Sequence, residues 1–189
     1  MDPLSCFWFD EGAADGSSCE RCNCRGSLPA DSVSRLESSM SSVEIEQKAY
    51  EMPPREGISI ACFLTVADIE RSARYYEKVF DARILSLGDS KGASGHIQIA
   101  NTWLIVNVGG GPTPDKPTVT LSVLADPDKI SGFMNIRVAD IHACYELWKS
   151  RGAEFITEPI PKYGEIRCYI RDPDGYIIEV GQSTDLTYG

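Results

Sequence analysis

Nothing in the chain marks it for a membrane, a nucleic acid or a disulfide-bonded scaffold. No apolar run approaches the ~20 residues needed to cross a bilayer, and the start, Met1 to Asp15, lacks a basic segment followed by a long apolar stretch. Positive charge is scarce: 18 Lys and Arg stand against 28 Asp and Glu, a net charge of −10. There is thus no general basic surface to neutralise phosphates or anionic headgroups. Neither nucleic acid nor membrane is expected as a partner, and a cytoplasmic location is expected instead. Histidine is rare, with His96 and His142 the whole supply. Seven cysteines is an odd count. Three of them, Cys62, Cys144 and Cys168, fall in apolar patterns where a reduced buried thiol is usual.

Residues 1–56 show no sustained period of 2 or 3.6, are rich in Ser, Gly, Asp and Glu, and end in Met52-Pro53-Pro54. They read as a disordered N-terminal tail, with Met40 and Met52 as alternative starts. Its one patterned feature is Cys19-Glu20-Arg21-Cys22-Asn23-Cys24 with Cys6 upstream. Those thiols offer ligands to zinc or an iron–sulfur cluster, but no second CxxC or His pair accompanies them and few apolar residues are near to pack around a metal.

Residues 57–182 are different. Ile58 to Val66 is strand-like, and Asp68 is placed to cap a helix by accepting from its first free N–H groups. Ile69, Ala73, Tyr76 and Phe80 give that helix an inward face. A strand over Ala82–Leu87 and a hairpin, His96–Ala100 with Thr102–Val108, complete a β-α-β-β-β unit. The linker, 109–130, opens with Gly109-Gly110-Gly111 and lacks the Gly-Lys-Ser/Thr ending of a phosphate-binding loop. It reads as a hinge or lid with a short strand over Thr118–Leu124.

The unit then returns. Val66-Ala67-Asp68-Ile69 reappears 72 residues later as Val138-Ala139-Asp140-Ile141. Ile141, Cys144, Tyr145 and Trp148 make the second inward face, and Gly152 suits the helix end. Strands are expected over Glu154–Thr157, Glu165–Arg171 and Tyr176–Gly181. The last two flank Asp172-Pro173-Asp174-Gly175, which fits a type I turn. Module 1 is 57–108 and module 2 is 131–182, with 183–189 a C-terminal tail.

The strand ending in Val-Ala-Asp-Ile-Glu-Arg-Ser, then Tyr75-Tyr76 and Phe80, and the late Arg171-Asp172-Pro173-Asp174-Gly175 with Ile178-Glu179-Val180 together resemble the vicinal oxygen chelate superfamily. That group includes glyoxalase I, bleomycin-resistance proteins, fosfomycin-resistance enzymes and extradiol dioxygenases. The resemblance covers about Gly57 to Gln182. It implies an α+β fold of two βαβββ modules, their mixed sheets curved around a shared cavity, in a homodimer. It also implies four metal positions, which carry over to Ala61, Ile105, Phe133 and Glu179. Three of these side chains cannot bind a metal, and catalytic sites typically use about three protein ligands. No metal or other cofactor is therefore expected.

Strand alternation sorts the cavity face. Ala61, Phe63 and Thr65 point inward from the first strand and Phe133, Asn135 and Arg137 from the matching strand of module 2, with Trp103, Ile105 and Asn107 opposite. Glu179 joins them between Ile177 and Gly181. Phe63, Trp103 and Phe133 offer surfaces for a planar ligand or are plain core; Thr65, Asn107 and Asn135 are polar groups beside them, and Arg137 suits an anion. Glu179 is a candidate general base, or is held by Arg137 or Arg167. The leading expectation is a binding protein for a small organic molecule. The alternatives are a lyase or isomerase of the glyoxalase type using Glu179 as base or metal ligand, and an interaction module with a filled cavity.

Overall fold

The two repeated aspartates start the two helices. In the computed structural model, which describes residue 54, residues 56–89 and residues 91–184, the Asp68 carboxylate accepts from the Arg71 N–H and that of Asp140 from the Ala143 N–H. Such N-caps are each worth about 1 kcal/mol. Apart from Pro54 and Glu56, the N-terminal tail with its cysteine pattern lies outside the described residues.

Module 1 runs β1 (Ala61–Thr65), α1 (Ile69–Phe80), β2 (Arg83–Ser86), β3 (Gly95–Ile99) and β4 (Thr102–Asn107). Module 2 runs β5 (Met134–Arg137), α2 (Ile141–Ser150), β6 (Glu154–Phe155), β7 (Ile160–Lys162), β8 (Glu165–Arg171) and β9 (Ile177–Ser183). The first sheet has the order β1-β4-β3-β2 with β1 parallel to β4; the second has β5-β9-β8-β6 with β5 parallel to β9 and β7 added on β8. This is the expected α+β pair of mixed sheets. Ala73, Tyr76, Phe80, Ile141, Cys144 and Trp148 are buried on the predicted helix faces.

Three local expectations are corrected. The first strand begins at Ala61 and not Ile58. Its partner β4 runs out at Thr102, whose hydroxyl donates to the Ile60 carbonyl at 3.0 Å, leaving Ile58 95% exposed. Thr118–Leu124 forms no strand, because Leu121 finds only an isolated bridge to Gly110. The Pro-rich connection after β6 does contain a strand, β7, in which Pro161 pairs opposite Ile166 at the sheet edge, where a missing N–H is tolerated.

What joins the modules is the late turn. Asp174 of Asp172-Pro173-Asp174-Gly175 accepts from the Ala67 N–H at 2.7 Å, from the Ser72 hydroxyl at 2.5 Å, and pairs with Arg71. Asp172 accepts from the buried Tyr76 hydroxyl at 2.8 Å. The Tyr176 hydroxyl both accepts from the Thr65 N–H at 3.0 Å and donates to the Thr65 carbonyl at 3.1 Å. Gly175 has φ +90, and a Cβ there would lie 2.9 Å from Pro127. Glycine thus serves the turn and lets the linker lie against it, where Arg171 also holds the Pro127 carbonyl at 2.8 Å and Asp128 at 2.7 Å.

Burial at this joint and in the core predicts the alkaline limit. It pushes the Cys144 thiol up to about 11 and the Cys168 thiol up to about 12, and lifts the Tyr76 hydroxyl well above its ordinary 10.0. The folded state then keeps protons that the unfolded chain releases, so stability is fully present below the ordinary thiol value of 9.0 and is lost as pH rises through the raised ones. Urea unfolding is expected to show a level midpoint from about pH 7 to 8.5 and a falling one above about pH 9. A midpoint that rose across that upper range would contradict it.

Candidate functional site

Two regions of the expected cavity face carry side chains of interest, and they differ in character. On the second sheet, register sets Asn135 opposite Glu179 and Glu179 opposite Tyr169, so the three form one row across β5, β9 and β8. Glu179 is only 4% exposed. Asn135 donates to its Oε1 at 2.5 Å and the Tyr169 hydroxyl donates to its Oε2 at 2.6 Å. Arg167 stands at the edge of contact, its Nε 4.0 Å from Oε1. Because Glu179 accepts its proton and partial burial adds to the effect, the Tyr169 hydroxyl is held above its ordinary value.

The neighbouring row is Arg137, Gly181 and Arg167. A Cβ on Gly181 would sit 2.2 Å from Arg137 Nη1, so glycine is what lets that guanidinium lie across β9. It reaches Glu165 at 2.7 Å, and Arg167 reaches the same carboxylate at 2.6 Å. The hydrogen bonds from Arg137 first, then Arg167, hold the Glu165 carboxyl below its usual range. Arg137 therefore pairs with Glu165 and not with Glu179. Gly181→Ala is expected to swing Arg137 away from Glu165 at a cost of under about 1 kcal/mol, since both partners touch solvent. A crystal structure and melt of that variant check it.

The second region is a crevice of about 260 Å³ where the first strands of the two modules approach. Phe63 and Leu64 of β1, Phe133 and Met134 at the start of β5, and Tyr176 and Ile178 form its walls, while Leu124 and Ile130 of the linker cover it. Phe63 is 45% exposed and Phe133 53%, and Phe133 meets Tyr169 edge-on at 6.3 Å.

Other expected site residues go elsewhere. Trp103 and Thr65 are buried in the first sheet. Asn107 holds a loop, donating to the Gly92 carbonyl at 3.2 Å and accepting from the Gly109 N–H at 2.8 Å. His96 is half-buried on β3 opposite Ile105, and His142 is exposed on α2. Tyr169, Tyr76 and Tyr176 were not picked out from sequence as site residues. Alternation along β8 is the one local signal for Tyr169, since it puts Tyr169 on the same face as Arg167, two residues before it.

The donor set does not fit a divalent ion. Ala61, Ile105 and Phe133 bring no side-chain lone pair, which leaves Glu179, held by Asn135 and Tyr169, as a single carboxylate. Among the described residues no group of three or more His, Cys, Asp or Glu side chains is gathered to hold one. Three donors is about what a catalytic ion takes from a protein.

Comparison with known proteins agrees with this architecture. The sequence model of the Glyoxalase/Bleomycin resistance protein/Dioxygenase superfamily matches residues 59–180. A Vibrio parahaemolyticus protein named "Probable lactoylglutathione lyase" is 25% identical over 133 residues, 67% of this chain and 91% of that relative. An integron cassette protein from the mobile metagenome of V. Cholerae superposes with a TM-score of 0.50 at 22% identity, covering 67% of this chain and 97% of its own. The fosfomycin resistance protein FosX of Listeria monocytogenes does so with a TM-score of 0.50 at 16% identity, covering 70% and 96%. At such identities the two structures share the fold alone.

Proposed function

The chain belongs to the glyoxalase/bleomycin resistance protein/dioxygenase superfamily, and from that premise we propose that it binds a small organic molecule in the crevice between its modules, without a divalent metal. The observation that carries the reading is the donor set: of the four positions to which the family's metal ligands carry over, Ala61, Ile105 and Phe133 offer no side-chain lone pair and Glu179 alone is a carboxylate. The crevice supplies the other half, since ligand pockets are mostly apolar and aromatic.

A lyase or isomerase with Glu179 as general base is the weaker reading. Such a base must lie within hydrogen-bond reach of the proton it removes, and Glu179 is only 4% exposed, behind its contacts with Asn135 and Tyr169. One fold hosts many chemistries, so the lyase name of a distant relative does not decide between them.

A ligand that binds only the folded state raises the melting temperature by mass action, by about 2.7 kcal/mol at a hundredfold excess over Kd. A thermal-shift panel of small organic compounds is expected to yield stabilisers whose effect is the same with and without EDTA. Stabilisation abolished by the chelator and restored by zinc, nickel or iron would overturn the proposal.

A further inference from the structure

We infer that the ligand of the crevice is an uncharged, planar aromatic compound of one or two rings. This rests on the binding function proposed above and specifies its chemistry.

Charge comes first. None of the described residues lining the crevice is ionised at neutral pH. Behind the wall Asp172 is held by the Tyr76 hydroxyl and the Tyr176 N–H, and the charged groups of the second sheet, Glu165, Glu179, Arg137 and Arg167, are tied to one another or to Asn135 and Tyr169. A carboxylate or ammonium entering the crevice would lose its water without gaining a partner, which is strongly unfavourable.

Polarity is limited for a different reason. Tyr76 and Tyr176 are in the wall, but their hydroxyls are spent on Asp172 and on the Thr65 backbone, the contacts that join the modules. Turning either toward a ligand would undo that joint. Ser131 and Cys62 remain as weakly polar side chains in the lining.

Shape follows from the rings and the volume. Phe63, Phe133 and Tyr176 present rings to the crevice, with the fully buried Tyr76 behind them, and aromatic rings favour offset or edge-on contacts with other rings. A dry apolar cavity of about 150 Å³ takes a benzene, and drug-sized ligands occupy pockets of about 300–1,000 Å³. The 260 Å³ here lies between these.

Gly132 provides a clean way to close the site. It lines the crevice, and a Cβ built there meets nothing within 4 Å. Gly132→Phe should therefore fill the space without disturbing the core.

The experiment titrates the full chain with indole and 1-naphthol, and in parallel with indole-3-carboxylate and 1-naphthoate, by equilibrium dialysis. The uncharged probes are expected to bind at least about tenfold more tightly than their carboxylates, a difference of about 1.4 kcal/mol. Gly132→Phe is expected to weaken indole and 1-naphthol at least about tenfold while the free protein melts as before. If that variant fails to fold, Phe133→Ala, at an exposed position, serves instead with the same expected direction. Equal binding of the carboxylates, no binding of either uncharged probe, or unchanged affinity in the variants would each overturn the inference. Failure of the aromatic probes while other compounds from the panel stabilise the protein independently of EDTA sinks only the ligand class. Metal-dependent stabilisation sinks the parent reading whatever the probes do.

Discussion

Asp174→Ala is expected to lower the melting temperature by on the order of 10 °C. The Asp174 side chain is 1% exposed and supports three donors from module 1: the Ala67 N–H, the Ser72 hydroxyl and Arg71. Two of these sit at the first turn of α1, where the helix has free N–H groups and favours negative charge. Arg71 is half exposed and regains water when its partner is lost. The Ala67 amide lies in an exposed stretch and does so too, and the Ser72 hydroxyl keeps the Asp68 carbonyl, 2.9 Å away, as an acceptor. Removing one member of a buried charged network costs about 3–5 kcal/mol, and the exposure of Arg71 puts the expectation at the lower end. Asp174→Asn keeps an acceptor oxygen and should lose about half as much. Calorimetry of both variants decides the matter. A melt for the alanine variant close to that of the unmodified protein would mean the turn is not a joint.

Trp148→Ala should cost about as much or more, on the order of 3–5 kcal/mol. Trp148 is 1% exposed and meets Phe80 edge-on at 5.0 Å, so it packs α2 of one module against α1 of the other. Its buried indole nitrogen has no hydrogen-bond partner among the described residues. Trp148→Phe therefore forfeits no hydrogen bond and leaves a smaller void, and is expected to cost well under half as much. The midpoints of urea unfolding for the two variants test this. Equal losses would show that the indole N–H does structural work.

These two substitutions mark where sequence reasoning succeeded and stopped. The repeated Val-Ala-Asp-Ile could be read because capping is local: the aspartate and the N–H it serves lie three residues apart in both modules. Alternation along a strand is equally local, and it put Asn135, Glu179 and Gly181 on one face, as the register shows. The Asp172–Gly175 segment reads as a type I turn and as part of the family resemblance, but its role as a joint is not legible in it. Its Pro and Gly are the same whether it faces water or the helix 102 residues away in sequence that it holds through Ser72. Of the two arginines expected beside Glu179, Arg167 stands 4.0 Å from it, while Gly181 lets Arg137 lie across β9 to Glu165. The closer partners, Asn135 and Tyr169, come from the neighbouring strands, and no local pattern announces them as its partners. The start of β1 depends on where its parallel partner β4 begins, which no property of Ile58 reveals.

Glu179 also bears on the central claim, that this member of the superfamily works without the metal. The measurement is elemental analysis of protein produced in medium supplemented with zinc, nickel, iron and manganese, for the unmodified chain and for Glu179→Ala. Metal bound within the described domain should be far below one equivalent per chain in both, so the comparison is made on protein with residues 1–53 cleaved away after folding and purification. About one equivalent of any of these metals in the unmodified protein, lost in Glu179→Ala, would contradict the account.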